Sequence, residues 1–298
     1  MPVSRKTKET PVFGRKPSDA DIDVYGVTHA GKVRPNNQDH FLIGSLRKQM
    51  EIQLTSLPTI DTLVGRRERL AFIAMVADGV GGGPKGEEAS RLAVERVTQY
   101  VSRTMRCYYT ADPTDEVAFS RSLMEAAMLS HMDIAEEVSR DPSRRGMATT
   151  LTLWISTWPR AYLLQVGDSR CYLLRQGELR QISRDQTMAQ DLVDQGIMTR
   201  TEAYQTRWAN VLASAIGGSE AAPVVTRLDP MWNDVGLLCS DGLTKHVPDA
   251  RIRERLLSSS SAKQACEALL EDALDAGGTD NITIVVGRTP SDPSAIGL

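Results

Sequence analysis

Five aspartates share one setting, beside an apolar strand-like run and a small or amide residue. Asp78 closes Val76-Ala77-Asp78-Gly79, Asp168 follows Gln165-Val166-Gly167, and Asp241 sits in Cys239-Ser240-Asp241-Gly242. Asp280 precedes Asn281-Ile282-Thr283, and Asp39 ends Asn36-Asn37-Gln38-Asp39. A carboxylate at the end of a buried strand is costly unless something pairs with it. The chain offers no matching set of strand-end lysines or arginines for all five. Divalent cations would solve the problem, and oxygen ligands without His or Cys select Mg²⁺ or Mn²⁺ over zinc. Gly79 would let a backbone carbonyl approach such an ion with no side chain in the way. Arg34, five residues before Asp39, carries a guanidinium able to clamp a phosphate dianion through two parallel hydrogen bonds. Any one of these aspartates alone would read as a turn former or helix cap, and Arg34 alone as a solvated loop charge. The repetition of the setting points to chemistry.

Competing chemistries have weaker support. Gly81, Gly83 and Gly86 match the spacing of a dinucleotide loop between a strand and a helix. The acidic residue such a site needs about 20 residues further on, after a second parallel strand, is missing. Asp78, just before these glycines, would repel a pyrophosphate unless a metal lay between. Lys85 is followed by Gly86 rather than Ser or Thr, which removes a Walker-type loop. There is no HExxH and no GxSxG, and His29, His40, His131 and His246 are scattered.

The elements that must position the aspartates follow from periodicity. Asp23–Val27 and Phe41–Ile43 read as short strands around a turn at 31–37. Glu51–Leu57 and Arg69–Asp78 read as a long hairpin, its second arm a near-continuous apolar run expected of a fully buried strand. Helical spacing covers Gly86–Met105, Val117–Val138 and Ala262–Leu274, with a short helix at Thr187–Gln195. Strands are predicted at Ala148–Ile155, Ala161–Val166, Cys171–Arg175, Glu178–Ile182, Val235–Cys239 and Ile282–Val286. Clustered strands with few helices do not give the regular alternation of a doubly wound sheet; antiparallel sheets covered by helices fit better.

The 298 residues carry 35 basic and 38 acidic side chains, a net charge of −3, which argues against a nucleic-acid partner. At about 150 residues per domain the length suggests two domains. The motifs at 34–39 and 278–283 must however meet at one centre, which gives one domain over 21–288 between a disordered basic tail, 1–20, and a short tail, 289–298. Leu70–Ala77 is too short to cross a bilayer, which takes about 20 residues, and the N-terminus has no apolar signal-peptide core. Cys107, Cys171, Cys239 and Cys266 show no CxxC spacing, as expected for reduced core cysteines of a cytoplasmic protein.

Taken in order, the motifs resemble those of the metal-dependent serine/threonine protein phosphatases of the PP2C or PPM type. They are Arg34-x-x-Asn37-Gln38-Asp39, Val76-Ala-Asp-Gly-Val-Gly-Gly82, Gly146-Met-Ala-Thr-Thr150, Val166-Gly-Asp-Ser-Arg170, Ser183-Arg-Asp185, Cys239-Ser-Asp-Gly-Leu-Thr244 and Gly278-Thr-Asp-Asn-Ile-Thr283. The resemblance implies an α+β fold, a β-sandwich of two antiparallel sheets flanked by helices in α-β-β-α layers. It implies Arg34, Asp39 and Asp78 as catalytic residues and Asp78, Gly79, Asp168, Asp241 and Asp280 as ligands of Mn²⁺ or Mg²⁺. In that scheme Asp78 bridges two ions, the Gly79 carbonyl joins the second, and Asp241 and Asp280 complete the first. Asp39 acts through water, Asp168 with Asp241 holds a third and weaker ion, and Arg34 takes the substrate phosphate. Residues 187–208 form a flap. The implied activity is hydrolysis of phosphoserine and phosphothreonine on proteins through a metal-bridging water, opposing a bacterial serine/threonine kinase.

Four departures stand out. Gln38 replaces a frequent Glu, and Gln186 a frequent His. Val80 stands where eukaryotic members place a His, a bacterial-like feature. Lys245 stands where some members supply another acid. Gln38 keeps open the alternative of a pseudophosphatase that binds phosphoproteins as a regulatory module.

Overall fold

The run Leu70–Ala77 is apolar on both faces because both faces are covered. It lies in β3 (Glu68–Val80) of a computed structural model that describes residues 15–48, 68–81, 84–108 and 116–290. Ala71, Ile73, Met75 and Ala77 pack into one cluster with residues of α1 (Pro84–Tyr108) and α2 (Glu116–Arg140). Ala74 and Val76, with partly buried Phe72, face the other way and meet Leu163, Cys171, Leu238 and Val285. The period of two along a strand makes this division.

One sheet has the order β2 (Asp39–Lys48), β3, β5 (Leu151–Thr157), β6 (Arg160–Val166), β9 (Val224–Leu228), with β4 (Ala148–Thr149) paired to the end of β3. The second runs β1 (Asp23–His29), β11 (Ile282–Arg288), β10 (Val235–Cys239), β7 (Arg170–Arg175), β8 (Glu178–Gln181). Neighbouring strands are antiparallel throughout both sheets. The outer face of the second sheet buries Leu237, Cys239, Ile282 and Ile284 under α5 (Asp241–Thr244), α6 (Asp249–Ser258) and α7 (Ala262–Asp275). The layers are helix, sheet, sheet, helix, the α+β sandwich expected from the motifs. Two short helices, α3 (Met188–Asp194) and α4 (Arg200–Tyr204), project between β8 and β9.

Several sequence expectations need correction. The strands on either side of 31–37 do not pair; β1 joins β11, and β2 joins β3 in the other sheet. Glu51–Leu57 lies outside the described residues; among these, β3 pairs with β2 on one side and with β5 and β4 on the other. Ala148–Ile155 is two strands broken at Thr150, whose backbone N–H turns to the Asp78 carbonyl at 2.9 Å. β9 and α6 escaped prediction because the first is half exposed and the second rich in Arg. Residues 15–20, assigned to the tail, lie against the domain. Arg15 pairs with Asp21 at 2.9 Å, and Lys16 Nζ donates to the Arg69 carbonyl at 2.6 Å. Cys171, Cys239 and Cys266 are free, buried thiols. Among the described residues no helix is long and apolar enough to cross a membrane.

Candidate active site

Strand register brings the aspartates together. Asp39 opens β2 and Asp78 stands near the end of β3, and the two are cross-strand partners. Asp78 continues the face that carries Phe72, Ala74 and Val76, so both carboxylates emerge at one end of the inter-sheet layer. Like charges directly opposite each other destabilise a sheet, so this pair needs a cation or a proton. Asp168 follows β6, Asp241 follows β10 and Asp280 precedes β11, each at that same end. All but Asp39 line a cleft of about 530 Å³, with Arg34, Gln38, Gly79, Val80 and Lys245.

Backbone clamps fix each position. The Asp78 N–H donates to Thr150 Oγ1 at 3.0 Å, and Thr149 Oγ1 donates to the Asp78 carbonyl at 2.8 Å. Gly167 takes φ +98 beside Asp168, and its N–H donates to Gln186 Oε1 at 2.8 Å. Gln186 Nε2 reaches the Ala222 carbonyl, so this amide ties the Asp168 turn to the segment that leads into β9. Asn281 binds the Arg34 loop to Asp280: its Nδ2 donates to the Ala30 and Asn36 carbonyls, and its Oδ1 accepts from the Gln38 N–H. Asn281 and Thr150 enter the sequence reading only as members of motifs, and Gln186 only as a replacement for a frequent His. The signal of Asn281 and Gln186 is being polar directly after a motif aspartate.

The glycines that mimic a dinucleotide loop have another purpose. A Cβ on Gly79 would lie 2.1 Å from the Gly86 carbonyl oxygen, and one on Gly86 2.8 Å from the Gly79 carbonyl carbon. The end of β3 and the start of α1 touch backbone to backbone, which only glycine allows.

The electrostatics are those of a carboxylate cluster short of cations. Burial, then Asp39, Asp241, Asp168 and Asp280, push Asp78 well above the ordinary carboxylate value. Burial, then Asp241 and Asp185, lift Asp168 to about 8. Asp39, only 3% exposed, is raised to about 6, again chiefly by burial. Both of its carboxylate oxygens and Asp241 Oδ1 are buried without a hydrogen-bond partner. Buried carboxylate oxygens left unpaired in an all-oxygen donor set fit a hard divalent cation or its bound waters.

Two cations reach the cluster, neither from a strand end and too few to match five aspartates. Arg34 grips Asp280 with Nε at 2.8 Å and a terminal nitrogen at 3.0 Å. Lys245 Nζ stands 2.6 Å from Asp241 Oδ2 and 2.8 Å from Asp280 Oδ2. Burial works against the charge on Asp280, but Lys245 and Arg34 hold it below the ordinary value. Among the described residues no three His, Cys, Asp or Glu side chains are grouped as they stand so as to hold a metal ion, and the Lys245 ammonium lies between Asp241 and Asp280.

Below the cleft, Arg170 makes a three-contact pair with Asp185 at 2.6–3.1 Å, extended through Tyr172 to Asp249. This fixes the strand that leaves Asp168.

Comparison with known proteins agrees with the fold and the family that the motifs suggest. The family model for Protein phosphatase 2C matches residues 55–275. The serine/threonine protein phosphatase PstP of Mycobacterium tuberculosis is 37% identical over 216 residues, 72% of this chain but 40% of PstP. The serine/threonine phosphatase stp of Listeria innocua is 31% identical over 72% of this chain and 83% of its own. A crystal structure of PstP superposes with a TM-score of 0.72 at 31% identity, covering 91% of this chain and 99% of that one. The PstP catalytic domain with two manganese ions gives 0.70 with the same identity and coverage. The chain belongs to the protein phosphatase 2C family.

Proposed function

We propose that the chain hydrolyses phosphoserine and phosphothreonine monoesters on proteins, in the cytoplasm, opposing a serine/threonine kinase. The observation that carries this is the convergence of five aspartates beside Arg34, with three buried carboxylate oxygens unpaired. Asp78, the Gly79 carbonyl, Asp241 and Asp280 would hold two ions, Mn²⁺ or Mg²⁺, and Asp168 with Asp241 a third. When bound, the ions supply Lewis-acid activation of the attacking water and screen the phosphoryl charge. Asp39, buried behind Asp78, orients water from beneath the site. Arg34 is exposed enough to turn from Asp280 to a phosphate, where its fork matches two equatorial oxygens. Gln38 offers an amide toward the same cleft in place of a carboxylate. Val80 and the segment 210–215 also line the cleft and would flank the leaving serine or threonine.

The test is Mn²⁺-dependent turnover of p-nitrophenyl phosphate and a phosphopeptide. Asp78→Ala and Asp241→Ala are expected to abolish turnover with the circular dichroism spectrum retained. Activity that survives EDTA refutes the metal-dependent reading. A folded, Mn²⁺-binding protein without turnover supports the phosphoprotein-binding alternative instead.

A further inference from the structure

Asp241 and Asp280 come from different segments, one after β10 and one before β11, and a single side chain of this protein ties them together. Lys245 caps α5, four residues after Asp241, and side chains so spaced share a helix face. Its ammonium contacts Asp241 Oδ2 at 2.6 Å and Asp280 Oδ2 at 2.8 Å. Arg34 takes Asp280 from the other side through both carboxylate oxygens. The Lys245 side chain is 32% exposed, so the ammonium is lodged in the cleft wall yet has a way out to solvent. A compact, strongly charged ammonium on a flexible stem is the side chain best suited to stand in for a small cation.

An ion held by Asp241 and Asp280 would share both carboxylates with Lys245, which already takes one oxygen of each, and would meet its like charge there. We propose that Lys245 is a tethered cation that competes with the divalent ion for Asp241 and Asp280. It joins the two carboxylates when no metal is bound and weakens metal binding at that position. The proposal rests on the reading of these two aspartates as metal ligands. Because the stem can swing toward solvent, Lys245 is a competitor and not a block. It is a positioning residue whose effect is on loading.

The test is Mn²⁺ titration of the full chain by isothermal calorimetry, with free Mn²⁺ followed by electron paramagnetic resonance. Lys245→Met keeps the length of the stem and removes the charge. The weaker of the two Mn²⁺ sites that Asp78, Asp241 and Asp280 would form is expected to strengthen by about tenfold. The metal-free variant is expected to melt below the metal-free wild type, and the Mn²⁺-saturated proteins to melt alike. Lys245→Gln, which keeps a donor without the charge, is expected to show the same gain in affinity with a smaller loss of metal-free stability, and serves should the Met variant not fold. Unchanged or weaker Mn²⁺ affinity in the folded variants overturns the competition while leaving the ligand assignment standing. Absence of Mn²⁺ binding in wild type and variants alike overturns the ligand assignment, and the proposal with it.

Discussion

Gly242→Ala is expected to disable the site while the sandwich stays folded. Gly242 is buried directly after Asp241 and faces the backbone of Asn281 and Ile282, next to Asp280, across a gap too narrow for a methyl group. A Cβ there would lie 1.9 Å from the Asn281 carbonyl oxygen and 2.9 Å from its carbon. Real Cβ contacts stop near 3.0 Å, so the two backbones must part by about 1.1 Å. The obstacle is main chain, so no rotamer change relieves it. The retreating segment carries Asp280, and Asn281 drags the Arg34 loop through its bonds to Ala30 and Asn36. Overpacking of this size costs about 1–3 kcal/mol, less than the typical stability of about 5–15 kcal/mol. A misplacement of about 1 Å in a reacting constellation costs on the order of 10²-fold in rate. The assay is kcat/KM for p-nitrophenyl phosphate in saturating Mn²⁺, beside circular dichroism and urea unfolding. The expected result is a loss near a hundredfold with the spectrum retained. Gly44→Ala is the control, since its Cβ would meet only Leu42 Cδ2 at an ordinary 3.6 Å. A Gly242→Ala enzyme as active as the Gly44→Ala enzyme refutes the idea that this contact sets the spacing of Asp241 and Asp280.

Three further outcomes follow from named contacts. Arg34→Ala is expected to raise KM for a phosphopeptide more than it alters Mn²⁺ affinity; an unchanged KM removes its role as phosphate clamp. Asp185→Asn leaves the Arg170 guanidinium short of its partner at a site where the two side chains are 11% and 7% exposed. Its cost in urea is expected at about 3 kcal/mol, and a loss indistinguishable from zero shows that the pair is idle. Asp272, gripped by Arg255 and Arg251 from α6, is held well below the ordinary carboxylate range. Its native value lies below its unfolded one, so its contribution is full above pH of about 4 and is lost as pH falls further. Asp272→Asn is therefore expected to cost about 1 kcal/mol near pH 7 after solvent screening. That gap should shrink toward pH 3 in urea melts; a gap constant with pH contradicts the linkage.

The sequence made the site legible because its residues lie at strand ends, where an apolar run stops at a carboxylate. Val76-Ala77-Asp78 and Leu238-Cys239-Ser240-Asp241 can be read locally, since burial on both faces leaves a continuous apolar signature. What pairs with what could not be read that way. β2 appears as three apolar residues, Phe41–Ile43, yet runs for ten and carries Asp39 to its place opposite Asp78. Half-exposed β9 and charged α6 lack the contrast that periodicity needs. Of the glycines at 81, 83 and 86, Gly81 and Gly86 gave a true signal of close backbone approach, and only the packing shows that the approaching groups, the Gly146 carbonyl and the end of β3, are protein and not a pyrophosphate.

The charge of the site shows the same limit of local reading. A count of strand-end cations finds none to match five aspartates, because neither cation that arrives is at a strand end. Lys245 comes from one helical turn beyond Asp241, and Arg34 from a loop pinned to Asp280 by Asn281. Both converge on Asp280 and leave Asp39 and Asp241 Oδ1 unpaired in the interior. Charge is thus relieved at the rim of the cluster and concentrated at its base, around Asp78 and Asp39. Among the described residues neither Arg34 nor Lys245 contacts that base, whereas both stand at Asp280. On the proposed ligand assignment, the position shared by Asp241 and Asp280 is therefore the weaker of the two, filled against Lys245.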